Sequence, residues 1–130
     1  MNYVYVAVGS AAGGLARYVV GEWFRLRVDM LPRSSVLAFP LGTVVVNVTG
    51  SFLLGFLVVA IDRHPHAHDL RLLLAVGFCG GYTTFSAFSL ETMGLLETGS
   101  AGLAALNVGA SLLLAGGATF GGMLLGRVVR

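Results

Sequence analysis

An all-α membrane protein of four transmembrane helices is the fold this chain predicts, on three observations. Of its 130 residues, 56% are hydrophobic and only 11% charged, a balance far from that of soluble domains. Apolar runs with almost no charge divide it into four stretches, roughly 3–21, 40–61, 72–90 and 101–126, near the about 20 residues a helix needs to cross a bilayer. The remaining charges gather in the connecting segments near 22–39, 62–71 and 91–100. The length fits a single domain, residues 1–130.

The same numbers exclude several function classes. Lysine is absent, and the eight arginines outnumber six acids without forming a basic cluster, so no nucleic-acid partner is expected. The N-terminus lacks a charged leader region and the first apolar run contains Arg17, which argues against a cleaved signal peptide. A single cysteine, Cys79, excludes an internal disulfide and reads as a small buried residue.

In the first span, Ser10, Gly13, Gly14 and Arg17 share a helix face. An arginine inside a span costs at least about 2.5 kcal/mol on insertion scales, so it faces protein or water. Two readings of Arg17 stand level: a fixed positive charge at a pore entrance, or a side chain snorkelling to the interface. The second span opens on Pro40, suited to a first helical turn. Thr43, Asn47 and Ser51 recur there at i, i+4 and i+8 along one face. Asn47 serves equally well as interhelical glue or as a pathway residue, whereas glue is preferred for Ser51. The following segment, Asp62-Arg63-His64-Pro65-His66-Ala67-His68-Asp69, is better read as a solvated turn than as a metal site.

The third span carries Gly80-Gly81-Tyr82-Thr83-Thr84-Phe85-Ser86-Ala87-Phe88-Ser89. Paired glycines and β-branched threonines weaken a helix, and backbone freed at membrane depth must be buried in protein or line a wet cavity. A third helix broken mid-membrane is therefore predicted, with a small-ligand or ion site at the break. Carbonyls turned inward there would suit an alkali cation. Phe85 and Phe88, at i and i+3, offer ring edges, the positive rim of an aromatic, to a small anion; taken alone, such a pair more often packs or faces lipid. In the fourth span Asn107, Ser111 and Thr119 lie on one face with Ala115 between. Small-xxx-small pairs at Gly9/Gly13, Gly77/Gly81, Gly117/Gly121 and Gly122/Gly126 point to close helix contacts.

No Asp or Glu occupies the centre of a span, and Glu91 at the end of the third comes closest, which speaks against a proton-coupled pump. No catalytic constellation appears, so the chain does not read as an enzyme. Four spans put both termini on the side of the 62–71 loop, which then holds Arg63, Arg71, Arg127 and Arg130 against Arg25, Arg27 and Arg33 opposite. Four against three gives almost no orienting instruction. A chain that inserts both ways round could pair with its inverted self, supplying the second half that an inverted repeat supplies in larger transporters. An antiparallel, dual-topology homodimer is the expectation.

At these residues the sequence resembles the Fluc (CrcB) family of fluoride channels. The likeness runs through Gly13-Gly14-Leu15-Ala16-Arg17-Tyr18, then Phe39-Pro40-Leu41-Gly42-Thr43, Asn47 and Gly50-Ser51-Phe52. It is most specific over Gly77-Phe78-Cys79-Gly80-Gly81-Tyr82-Thr83-Thr84-Phe85-Ser86-Ala87-Phe88-Ser89 with Glu91, and weakest in the fourth span. The resemblance implies a multi-pass protein of the cell (inner or plasma) membrane that passively exports cytoplasmic fluoride and so limits its toxicity. It implies an antiparallel homodimer in the lipid bilayer with two fluoride pores of opposite direction. It further implies a central structural Na+ held by backbone carbonyls of both subunits, here those of Gly80 and Thr83. Phe85, Phe88, Asn47 and Ser111 match pathway positions, and Glu91 one near a pore mouth. Asn107 is placed on the same fluoride pathway, where the family commonly has a fourth-span tyrosine; its amide could still donate a hydrogen bond. The rival reading, a small dual-topology multidrug-type exporter, calls for a glutamate in the first span, where this chain has Arg17.

Overall fold

The structure, a computed structural model, describes residues 2–29 and 39–129, with backbone only at 28 and 29. Arg33 and Arg130, both part of the arginine balance, lie outside the described residues. The fold consists of four helical rods. The first is α1 (Asn2–Asp29) and the second α2 (Leu41–Ala60). The third runs through α3 (Ala67–Leu70), a π-helix (Arg71–Cys79), α4 (Gly80–Tyr82) and α5 (Phe85–Glu97), and the fourth is α6 (Ala101–Val129). All four rods are long and apolar enough to cross a membrane, and the described residues contain no strand.

Local chemistry sets the ends of these elements. Pro40, placed by its sequence in a first helical turn, is the residue before α2: it has no amide to lose, and its carbonyl accepts from Val44 N at 3.1 Å. Between α5 and α6 the chain reverses at Gly99, whose φ of +75° is the one positive value among the described residues. Gly99 N donates to Leu96 O and Ser100 N to Leu95 O, the Schellman pair that closes a helix end when a glycine follows it. The turn after α2 is exposed and carries the Asp62–Arg71 ion pair at 2.6 Å. His64 and His66 lie in it and His68 in α3, and no group of three His, Cys, Asp or Glu among the described residues is placed to hold a metal.

Packing follows the glycines. Gly9 of α1 lies against Gly77 and the Leu73 carbonyl, and Gly13 against the Phe78 carbonyl. Gly81 of α4 lies on the backbone of Ser10, so α1 and the third rod meet backbone to backbone. On the other side Gly55 of α2 lies on the Thr119 carbonyl, while Gly122 and Gly126 of α6 sit under the carbonyls of Phe52 and Phe56. Three of the four predicted glycine pairs thus mark crossings. The fourth does not, because Gly117 and Gly121 face open space. The core between the rods is mostly small-chained, with Val44, Val46, Val59, Ala75, Cys79 and Ala104 buried beside the larger Ile61 and Leu95.

Gly13 and Gly14 are adjacent yet differ in surroundings: a methyl at Gly13 would collide with the Phe78 carbonyl, and one at Gly14 would meet nothing. Gly13→Ala should therefore destabilise the fold by roughly 1–3 kcal/mol. Gly14→Ala should be neutral or stabilise by up to about 1 kcal/mol through helix propensity. Denaturant unfolding of the detergent-solubilised protein measures both; equal shifts would contradict this packing.

Candidate functional site

The third rod leaves helical geometry at two residues. Thr83 adopts φ −78°, ψ 155° and Thr84 φ −149°, ψ 118°, both extended. Of the two expected weak points, Thr83 thus leaves the helix, whereas Gly80 is itself helical at φ −64°, ψ −37°. The step falls on the β-branched residues because each finds replacement bonds there. Thr83 N and Thr83 Oγ1 both donate to Cys79 O at 2.9 Å. Thr84 Oγ1 accepts from Ala87 N at 3.2 Å and so caps α5.

Asn47 closes the remaining gap. Its Oδ1 accepts from Thr84 N at 2.8 Å and its Nδ2 donates to Thr84 O at 3.0 Å. One amide side chain on α2 thereby mimics the peptide partner that the helix no longer provides. With Thr84 N turned to Asn47, the carbonyl of Gly80, its partner in a continuous helix, is released at an exposed position. Arg17 is half-buried and directs Nη1 to the Thr83 carbonyl at 3.4 Å. Expected at an entrance or snorkelling, it lies beside the step. The close α1 crossing at Gly13 brings it there.

Beneath the step opens a cleft of about 260 Å³ lined by Asn47, Ser51 and Leu54 of α2, by Thr83, Thr84, Phe85 and Phe88, and by Ser111, Leu112 and Ala115 of α6. The Phe85 and Phe88 rings are 5.4 Å apart at 42°, and Phe85 is 77% exposed on the single chain. Hydroxyls of Ser51, Thr84 and Ser111 share this wall with the two rings. None of the ten lining side chains ionises.

The structure thus gathers Asn47, Phe85, Phe88 and Ser111 around one cavity, with Thr83 at its edge. Asn107 stands behind the wall, fully buried at 0% exposure. Glu91 lies apart, in a second cavity of about 310 Å³ shared with Thr43, Phe24, Arg25, Phe39 and Pro40. There its Oε1 accepts from Thr43 Oγ1 at 2.6 Å, while Oε2 is buried without a partner. Thr92 went unnoticed in the sequence, although it donates to Phe88 O and accepts from Asn107. Its place four residues after Phe88 was the available signal, but a threonine inside a helix bonds its own backbone so often that the spacing does not stand out.

Replacing Asn47 by leucine keeps the volume and strands the Thr84 N–H, while the Thr84 carbonyl keeps only its bond within α5. An unsatisfied group costs about 1–3 kcal/mol, so Asn47→Leu should lower the unfolding midpoint far more than Ser51→Ala. A leucine variant as stable as the parent would show that the pairing is dispensable.

Comparison with known proteins bears on this arrangement. The family described as CrcB-like protein, Camphor Resistance (CrcB), matches residues 4–123. A protein of Agrobacterium fabrum named fluoride-specific ion channel FluC is 43% identical over 128 residues, 98% of this chain and 97% of its own length. Proteins of the same name from Rhizobium etli (45% over 125 residues, 95% and 94%) and Coxiella burnetii strain CbuK_Q154 (43% over 129 residues, 98% of each) are equally similar.

Proposed function

This chain belongs to the CrcB family, and on that premise we propose that it is a fluoride-specific ion channel, a multi-pass protein of the cell membrane that lets cytoplasmic fluoride leave passively. The observation that carries the reading is the cleft below the Thr83–Thr84 step: neutral donors and two phenylalanine rings around a cavity with no ionisable lining. Fluoride must exchange a tight hydration shell for enough donors to enter, yet be held weakly enough to leave. Hydroxyls of Ser51, Thr84 and Ser111, the second N–H of the Asn47 amide and the ring edges of Phe85 and Phe88 offer positive partial charge without a fixed cation. Chloride is larger and would be excluded where a second copy closes the open flank to a narrow path. The driving force is the membrane potential, about 2.3 kcal/mol per charge per 100 mV, which pushes anions out of a negative-inside cell. Fluoride that enters as the neutral acid and ionises inside is thereby returned. Catalysis plays no part, and the chain is not an enzyme.

We read the Thr83–Thr84 step as a mid-membrane break, and the open flank of the cleft as the place for a second copy. An antiparallel homodimer would enclose two such pathways and bring two breaks together. The released, exposed Gly80 carbonyl and the Thr83 carbonyl, which keeps one lone pair beyond its contact with Arg17, fit a hard cation. Gly80 and Thr83 would hold the structural Na+, with the second copy completing its oxygens. Its charge would offset the dipoles of carbonyls that point at one another. Arg17 then acts at the break, fixing Thr83, and Glu91 with Thr43 stands near a mouth of the path.

Purified protein in liposomes tests the function. Fluoride efflux with negligible chloride efflux, and no dependence on a proton gradient, is the expected result; proton-gradient dependence or carrier-like saturation would overturn it. Phe85→Ile or Phe88→Ile should cut fluoride flux by about tenfold or more while the assembly persists, and unchanged flux in both would remove the rings from the path. Orientation is tested separately with His66→Cys in a Cys79→Ser background. An impermeant thiol reagent should label one fraction of intact cells' protein from outside and the rest only after permeabilisation; labelling confined to one side would sink dual topology.

A further inference from the structure

We propose that Asn107 is a positioning residue: from behind the cleft wall it fixes the turn carrying Phe88 and holds the Ser111 hydroxyl in reserve for the passing anion. The inference rests on the fluoride-pathway reading of the cleft. Its basis is a directed chain of hydrogen bonds. Thr92 Oγ1 lies 2.7 Å from Phe88 O and 2.9 Å from Asn107 Nδ2. A carbonyl only accepts, so the single hydroxyl proton of Thr92 goes to Phe88 O. The hydroxyl oxygen then accepts from the Asn107 amide. That direction fixes the amide, leaving Oδ1 to face Ser111.

Ser111 Oγ reaches Asn107 Oδ1 at 3.5 Å, the outer edge of a hydrogen bond. Ser111 lines the cleft, whereas neither Asn107 nor Thr92 does. Its proton therefore has a weak partner behind the wall and is readily turned toward an anion in front of it. Asn107, at 0% exposure, touches no cargo itself. It acts through Ser111 on one side and through Thr92 and the Phe88 turn on the other, tying the two sides of the wall into one unit.

Liposome efflux separates this role from a mere clamp between α5 and α6, because the fraction of vesicles emptied counts folded channels while the rate in those vesicles reports the pathway. Thr92→Val preserves shape and breaks both links; Thr92→Ser keeps the hydroxyl. Thr92→Val and Asn107→Leu are expected to slow fluoride efflux per channel by about tenfold or more, with the emptied fraction kept and Thr92→Ser at the parent rate. The double variant should be no slower than the worse single one, since linked residues are not additive. Equal rates for valine and serine at 92, or a loss confined to the emptied fraction, would overturn the proposal. Should Asn107→Leu fail to fold, the valine–serine contrast decides alone. Parent vesicles that pass no fluoride would instead refute the pathway reading on which the proposal depends.

Discussion

The rest of the site hangs on two hydrogen bonds between the Asn47 amide and the backbone of Thr84. Water cannot satisfy an exposed N–H or C=O at bilayer depth, so a chain that leaves helical geometry there must supply its own partners. Asn47 supplies both at once, and from a neighbouring rod. The extended step, the released Gly80 carbonyl, the angle at which α5 starts and the cleft beneath it all presuppose that pairing. Thr83, bonded twice to Cys79 O, and Thr84, capping α5 through Ala87 N, complete the local set. The step rebonds Thr83 and Thr84 and leaves the Gly80 carbonyl as the group released.

Glycine placement performs the complementary task of bringing backbones close enough for such short side chains to reach. Asn, Ser and Thr extend only a few bonds, and across an ordinary helix spacing of 8–10 Å they would fall short of another rod's backbone. Gly13 against Phe78, and Gly55 and Gly122 against α6 and α2, bring the crossings closer. In lipid, where hydrophobic burial does not drive helices together, this dispersion contact and the bonds it permits supply the cohesion.

Much of this was legible in the sequence, and the failures have physical causes. The four rods were readable because hydrophobic length and charge placement are one-dimensional signals. Asn47 and Ser111 were readable as candidates because polar groups inside apolar spans stand out against lipid, and Phe85 and Phe88 because they follow the weakened stretch at i and i+3. The helix step was readable only as a region: Gly80-Gly81 and Thr83-Thr84 both weaken a helix, and it is partner availability from Asn47, Cys79 and Ala87 that puts the step at the threonines rather than the glycines. Arg17 was equally opaque, since snorkelling and inward docking depend on which rod packs along α1. Asn107 carries the same ambiguity in reverse, a polar residue on a plausible stripe that proves fully enclosed. Periodicity tells which face a residue occupies, not what stands opposite.

The Asn47–Thr84 pairing lies entirely within one chain, and this has a consequence for the order of events. Membrane proteins first insert their helices and then associate them. Because both partners of the pairing belong to the same chain, the bend in the third rod can form and harden while that chain is still alone in the bilayer. The ordering entropy of the site is then settled before any association occurs. In the homodimer proposed above, an incoming copy would meet a rigid, preshaped face, so the energy of association would not be drained by organising it.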